Sequence, residues 1–388
     1  MPLHDRRRKR AAPKDNRAFA FDLFHQLADD SSDNLFFSPH SLSVALAMLQ
    51  GGARGATASQ LASALHFDLP ADQLHPAFNR LALELDSRSE LSPDEYKGGE
   101  GFQLSIVNQL FGQTGYPFQT PWLDLLAVNY GASLRLLDFA SDPDGNRVLI
   151  NDWVQAVTAD RIIDLLPDGS ISTNTRFVLV NAIYFKASWD TPFDPADTTD
   201  AWFSPLAGDT VSVTTMHGVL ETSCGSGTGF ALADLPYAGQ DLGMTLLVPD
   251  AGQFLAVQAA LDGSTLDAAL ASLAPCELTV SLPRFSFKSA FNAKDPLQAL
   301  GMVDAFSDAA DFTGISAEPG LQVSGVYHQA FVAVDETGTE AAAATAIVGD
   351  GTSVPEPVTI TVDRPFLFLI RDRPTGEILF LGRVMNPS

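Results

Sequence analysis

The sequence lacks the residue clusters that enzymes and metal proteins use. Its seven histidines are scattered, with no His-x-x-x-His pair and no dense Cys/His cluster, which argues against a metal site. No Gly-x-Ser-x-Gly elbow marks a nucleophile. The glycine-rich run from Gly225 to Gly229 has no lysine to neutralise a phosphate, which favours a hairpin turn. We therefore expect no enzymatic activity, no cofactor and no metal.

Positive charge is missing from two long stretches. No Lys or Arg occurs between Lys186 and Arg284, nor between Lys294 and Arg364, and the formal net charge is −24. Such a surface repels polyanions. We therefore predict no nucleic acid, no heparin-like polyanion and no anionic membrane as a partner.

The basic residues that remain are concentrated at the N-terminus. Residues 1–17 hold seven Lys/Arg and two Asp, a local charge of +5 that leaves −29 for the rest of the chain. The run Arg6–Arg10 is typical of a solvated tail more than of a targeting patch. We place a disordered basic tail at residues 1–15 and a single domain at 16–388. No apolar segment follows the run, so we expect no intact signal peptide. We favour a secreted or extracytoplasmic protein and leave a cytoplasmic location open.

Long apolar runs and cysteines are also scarce. No run of eighteen apolar residues predicts a membrane span. The two cysteines, Cys224 and Cys276, form no Cys-x-x-Cys motif and no disulfide framework. This scarcity favours free thiols and leaves a single bridge as the alternative.

The chain has enough apolar residues for one large core. Its 388 residues are 46% hydrophobic, and no linker or charge run divides them, so we predict one large α+β domain. Ser38 followed by Pro39 predicts the start of a helix that ends near Gly52. The nearly unbroken apolar run from Phe177 to Phe185 predicts a central strand buried on both faces, with Asn181 as its one notable polar residue.

The segment around residue 340 combines an acidic start with a row of small residues. A strand-like segment, 323–334, leads into Glu336, Gly338 and Glu340. In an extended chain, residues two apart share a face. One face is small and nearly apolar and suits a narrow gap inside a sheet; its residues are Thr339, Ala341, Ala343, Thr345 and Ile347. Glu340 lies on the opposite face. Residues 349–357 then read as an exposed loop.

This segment resembles the hinge and reactive loop of the serpins. The family pattern is a Glu, a Gly two residues later, a Thr, a Glu and several Ala. It is matched here by Glu336, Gly338, Thr339, Glu340, Ala341, Ala342, Ala343 and Ala344. The flanks match as well, at Val326–Ala330, Arg364–Phe368, Leu381–Val384 and Asn386–Pro387. Several matches in the expected order make chance resemblance improbable.

The resemblance implies both a fold and a mechanism. It implies an α+β serpin-like fold with a large central, mostly antiparallel sheet, additional sheets, eight or nine helices and an exposed reactive loop at about 336–358. It also implies a monomeric, irreversible suicide-substrate inhibitor of serine proteases. A target protease would cleave the loop with its own nucleophile, and the loop would then insert into the central sheet and trap a covalent acyl complex. The alternative is a non-inhibitory member that serves as a carrier, chaperone or storage protein.

The resemblance also assigns roles to residues outside the loop. It places Ser38, Ser41, Asn181 and His328 in the cluster called the shutter, beneath the point where the central strands separate. It places Trp189 at the breach, where the loop enters the sheet. The simpler interpretation is that these are satisfied buried polar groups and an ordinary core tryptophan. Both interpretations hold together for the shutter, since a hydrogen-bonded cluster stabilises whichever sheet arrangement satisfies it.

The position of the reactive bond rests on two counts that disagree. Counting forward from Glu336 gives Thr352–Ser353, whereas counting back from Pro365 gives Val354–Pro355. A bond before proline is a poor protease substrate, so we favour Thr352–Ser353, with Ser353–Val354 as the alternative.

The loop's composition indicates the class of target. No Lys or Arg is available for a trypsin-like pocket, and no aromatic residue lies between Phe331 and Phe366 for a chymotrypsin-like one. The small and β-branched residues near the expected bond predict an elastase-like or subtilisin-like protease.

Overall fold

The structure is a computed structural model that describes residues 11–28, 33–90, 103–339 and 356–388. Helices and strands are numbered separately here, in chain order. The α-helices of the described ranges are α1 (Ala11–Leu27), α2 (Pro39–Gly52), α3 (Gly55–Ala64), α4 (Ala71–Asp86), α5 (Thr120–Tyr130), α6 (Pro143–Val157), α7 (Phe254–Ala260), α8 (Gly263–Ala271) and α9 (Lys294–Ala299). Short 3₁₀ helices lie at Ser87–Glu90, Pro195–Asp197 and Asp304–Phe306.

The strands form two sheets. They are β1 (Leu35–Phe37), β2 (Gln103–Gln113), β3 (Leu134–Leu137), β4 (Phe177–Ser188), β5 (Thr199–Phe203), β6 (Val211–Gly227), β7 (Phe230–Pro236), β8 (Leu242–Pro249), β9 (Ala274–Pro283), β10 (Phe285–Asn292), β11 (Tyr327–Val334), β12 (Gly338–Thr339), β13 (Glu356–Thr361), β14 (Phe366–Asp372) and β15 (Ile378–Val384). One sheet has six strands in the order β10-β11-β12-β4-β2-β3. The other has nine, in the order β1-β15-β14-β8-β7-β6-β9-β13, with β5 beside β6. The predicted α+β class, with a large, mostly antiparallel sheet, an additional sheet and eight or nine helices, is confirmed in the described ranges.

Helix α2 lies in the core between the two sheets. It contacts β15 of the nine-stranded sheet and both β2 and β4 of the six-stranded one. Its start matches the sequence signal, because the Ser38 hydroxyl accepts the Ser41 N–H at 3.0 Å and Pro39 fills the first turn. Most of its side chains are buried, which explains the apolar run that follows Ser43. The helix thereby holds Ser38 and Ser41 under the six-stranded sheet.

The N-terminal helix begins inside the stretch assigned to the tail. It starts at Ala11, so residues 11–15 are helical, while residues 1–10 lie outside the described part of the chain. From Asn16 onward the helix is anchored by buried side chains such as Phe19 and Phe24.

The two cysteines form a disulfide, so the free-thiol interpretation was wrong. Cys224 of β6 and Cys276 of β9 are bonded, with 5.7 Å between their Cα atoms. The two strands pair side by side, and Thr222 lies opposite Cys276. The residues are 52 apart in sequence, and only this strand pairing brings them together. Cysteine spacing carries no sign of such a pairing.

Removing this disulfide should measurably destabilise the protein. A bond that closes a loop of 52 residues stabilises by about 4 kcal/mol when the chain entropy of the unfolded state is counted. We therefore expect the Cys224→Ala/Cys276→Ala variant to lose roughly that much free energy of unfolding, measured by urea denaturation. The control is a dithiol reductant, which should destabilise the wild type and leave the double variant unchanged. Identical urea midpoints for the variant and the oxidised wild type would contradict this role.

Candidate functional site

The candidate site is the gap between strands β4 and β11 of the six-stranded sheet. These strands run parallel and pair directly only where Tyr327–Ala330 faces Val180–Ile183. Beyond that point they separate, and the short strand β12 lies between them. Its residue Thr339 faces Ala187 on one side and Val334 on the other. The first residues of the predicted hinge therefore already lie inside the sheet.

Gly338 fits this position because it has no side chain. Its φ is +154°, and an added Cβ would lie 2.1 Å from the Ala187 carbonyl oxygen. That distance is far below van der Waals contact, and the obstructing atom belongs to the backbone. Any other residue here would push the hinge away from β4.

Glu336 fixes the hinge with a buried carboxylate. Its Oε1 accepts hydrogen bonds from Arg284, through Nε at 2.8 Å and through Nη2, and from the Thr198 hydroxyl. Its backbone oxygen accepts the Phe193 N–H at 2.9 Å. Burial by itself raises the pKa of the Glu336 carboxyl, but the hydrogen bonds from Arg284 and Thr198 outweigh it, and the pKa lies below its ordinary value. The carboxylate is thus charged and held at neutral pH.

Arg284 was not identified from the sequence. One signal was available, since Arg284 is the sole Lys or Arg between Lys186 and Lys288. An isolated cation in an acidic stretch needs a partner, and the structure supplies Glu336.

Trp189 lies directly against the hinge. Its backbone N–H donates to the Thr337 oxygen at 2.9 Å, and its indole Nε1–H donates to the Asp335 oxygen at 3.0 Å. Its ring stacks on Tyr237, with centroids 4.7 Å apart and planes at 4°. The Trp189 side chain is therefore both packed in the core and hydrogen-bonded to the hinge.

The predicted shutter residues come together beneath the sheet. His328 Nδ1 donates to Asn181 Oδ1 at 2.6 Å, and Asn181 Nδ2 donates to the Ser41 hydroxyl at 2.5 Å. The Ser38 N–H donates to His328 Nε2 at 3.2 Å. Asn181 Nδ2 also donates to Asn108 Oδ1 at 2.6 Å, a partner on β2 that the sequence did not indicate. This shutter cluster links α2 to the three strands β2, β4 and β11.

The shutter histidine is neutral. Burial lowers the pKa of His328 to about 3. Its Nε2 accepts the Ser38 N–H, so its single ring proton sits on Nδ1 and is donated to Asn181. A second proton on Nε2 would remove that acceptor. The direct bond between His328 and Asn181 lies where β4 and β11 pair side by side.

The remaining predicted residues lie outside the described part of the chain. They are Glu340, Ala341, Ala342, Ala343 and Ala344 of the hinge, and the candidate bond residues Thr352, Ser353 and Val354. The chain is described again from Glu356, where β13 pairs with β9 in parallel.

In the described residues, this site is a short strand held between two longer ones. Ala187 of β4 and Val334 of β11 face Thr339 across the gap, and both are buried. No group of three or more His, Cys, Asp or Glu side chains that would hold a metal occurs in the described ranges. Among the same residues, no helix is both long and apolar enough to cross a membrane.

Comparison with known proteins finds one family that matches nearly the whole chain. A family model described as "Serpin (serine protease inhibitor)" matches residues 14–387. Serpin B3 of Homo sapiens is 35% identical over 396 residues, covering 96% of this chain and 98% of that protein. The leukocyte elastase inhibitor of Sus scrofa is 36% identical over 392 residues, with the same two coverages. The solved structure of human thyroxine-binding globulin in complex with thyroxine superposes with a TM-score of 0.85 at 30% identity, covering 98% of this chain and 100% of that one.

Proposed function

Because this chain belongs to the serpin family, we propose that it is an irreversible suicide-substrate inhibitor of serine proteases. A target protease cleaves the reactive loop, and the loop enters the gap between β4 and β11 before the acyl-enzyme is hydrolysed. The covalent complex is then trapped, with the inhibitor as a monomer. The observation that carries the proposal is the hinge strand β12, which lies between β4 and β11 as the first part of the entering strand.

The register of β12 supports insertion of the residues that follow it. Thr339 faces Ala187, so an antiparallel continuation brings residues 340–349 opposite residues 186–177 of β4. In the same register, Thr345 comes to lie between Asn181 and His328. Its hydroxyl then replaces the bond those two side chains share in the resting protein. The pairing of Tyr327–Ala330 with Val180–Ile183 breaks, and two ladders form in its place.

The inward face of that strand is small enough to enter. The Thr339 side chain is buried, so residues of the same parity point inward with it. These are Ala341, Ala343, Thr345 and Ile347, none of which carries a charge. An inserted strand of about fourteen residues moves a tethered protease on the order of 45 Å. At a net 0.5–1.5 kcal/mol for each new hydrogen bond, insertion stabilises the protein by on the order of 10 kcal/mol.

A carrier role is the second candidate. The thyroxine-binding globulin structure shares this fold and was solved in complex with thyroxine, which favours a binding function for some chains of this shape. Hinges of non-inhibitory serpins commonly carry bulky or charged residues on the inward face. Thr339, Ala341 and Ala343 do not match that pattern.

We place the protein in an oxidising compartment. The bond between Cys224 and Cys276 is typical of secreted and extracytoplasmic proteins, since cytosolic thiols are kept reduced. The test is whether the disulfide is present in protein recovered from its native source under thiol-blocking conditions.

The proposed function is tested by incubating the protein with elastase, subtilisin and trypsin. We expect a complex that survives boiling in detergent, formed fastest with an elastase-like or subtilisin-like enzyme, because the loop offers small residues and no cation. Mass spectrometry of the released C-terminal fragment should give a cut at Thr352–Ser353 or Ser353–Val354. Turnover fragments without any stable complex would support the carrier alternative. Faster inhibition of trypsin would refute the assigned target class.

A further inference from the structure

We propose that Tyr237 is a positioning residue that docks the hinge of the resting protein by binding Thr339. The hydroxyl of Tyr237 lies 2.7 Å from the Thr339 hydroxyl. Both side chains are buried, with 1% of each exposed. The docking itself is independent of any protease, and its consequence for inhibition rests on the proposed function.

The Tyr237 ring is held rigidly on two sides. It stacks on Trp189, and it forms a T-shaped pair with Phe185 at a centroid distance of 5.2 Å. The chain around it is tied to the end of β4, because the Ala238 N–H donates to the Ser188 oxygen at 2.8 Å. The phenol oxygen is therefore fixed relative to the strand that receives Thr339.

The Tyr237 hydroxyl stays protonated at any physiological pH. Burial raises the pKa of Tyr237 well above its ordinary value, and the bond to Thr339 opposes that shift only in part. If the hinge left the sheet, both hydroxyls would lose this bond. The pair thus favours the docked hinge over the released one.

Docking the hinge matters because two steps compete after cleavage. The protease is trapped only if the loop inserts faster than the acyl-enzyme is hydrolysed. A strand whose first residues are already paired with β4 and β11 needs no separate step to enter the sheet. Tyr237 accordingly speeds insertion through its contact with Thr339.

The direct test is hydrogen exchange at the amides that the hinge protects. The Trp189 N–H is bonded to the Thr337 oxygen and the Phe193 N–H to the Glu336 oxygen, so a peptide spanning 186–194 reports docking. We expect Tyr237→Phe to speed exchange there by roughly 2- to 10-fold, the range one hydrogen bond provides. Thr339→Val should do the same, and the double variant should match the single ones because all three lose the same bond.

Two controls separate this role from general destabilisation. Tyr116→Phe removes a hydroxyl far along the chain from the hinge and should leave exchange at 186–194 unchanged. Thr339→Ser keeps a hydroxyl and should behave as the wild type. Unchanged exchange in Tyr237→Phe, or additive effects in the double variant, would overturn the proposal.

A second readout links docking to inhibition. With a protease that the wild type traps, Tyr237→Phe should raise the number of inhibitor molecules consumed per protease, and Thr339→Ser should not. Unchanged consumption together with faster exchange would overturn the kinetic role of Tyr237. If the wild type traps no protease at all, the proposed function fails, while the exchange data still decide whether Tyr237 docks the hinge.

Discussion

Thr339→Arg is expected to turn the protein from an inhibitor into a substrate of the same protease. Thr339 is 1% exposed and its hydroxyl meets Tyr237, so an arginine there would be buried without a counter-charge. Such burial costs several kcal/mol. At a factor of ten for each 1.36 kcal/mol, insertion would slow by more than about 100-fold. Hydrolysis of the acyl-enzyme would then be faster than insertion. Titration of protease activity would show that the variant is cleaved and the active protease is released.

The matched control is Glu340→Arg. In an extended chain, residue 340 lies on the face opposite Thr339, so its arginine stays in water when the strand inserts. We expect this variant to remain an inhibitor, although it carries the same new side chain one position away. Complex formation by Thr339→Arg at the wild-type stoichiometry would refute insertion of this face.

The orientation of the hinge could be predicted from the sequence alone. Alternation along an extended chain assigns Thr339 to the face of the alanines, and the structure turns Thr339 inward against Tyr237. Polar residues within apolar runs are informative in the same way. Asn181 interrupts the apolar run of β4 and His328 lies on β11, and the structure bonds the two together. The local sequence pattern is therefore sufficient to predict how a strand is oriented when one of its faces is small or when one polar side chain interrupts an apolar run.

The partners of these residues could not be predicted, since they depend on long-range pairing. Arg284 meets Glu336 only because β10 lies beside β11. Tyr237 reaches Thr339 across 102 positions of sequence, and the disulfide depends on β6 pairing with β9. None of these contacts leaves a periodicity or a motif that a single sequence displays. Strand order must be known first.

Cleavage of the reactive loop is expected to raise the thermal stability of the protein. In the described part of the intact protein, β12 at Gly338–Thr339 lies between β4 and β11, and these two strands pair directly at Val180–Ile183 and Tyr327–Ala330. Cleavage frees the rest to complete two ladders, a gain on the order of 10 kcal/mol. Unfolding entropy is about 2.1 cal/mol/K per residue, or roughly 0.8 kcal/mol/K over 388 residues. The melting temperature should therefore rise by about 12 °C.

The measurement compares intact and cleaved protein by calorimetry, after a protease that hydrolyses the loop has been removed. The control is Thr339→Arg cleaved in the same way, in which a buried charge opposes insertion. The melting temperature of this variant should rise little on cleavage, because its cut loop does not enter the sheet. Such a difference would assign the added stability to the inserted strand, since the same peptide bond of the loop is cleaved in both proteins. Equal melting temperatures for intact and cleaved wild type would instead favour the carrier alternative, in which the loop never enters the sheet.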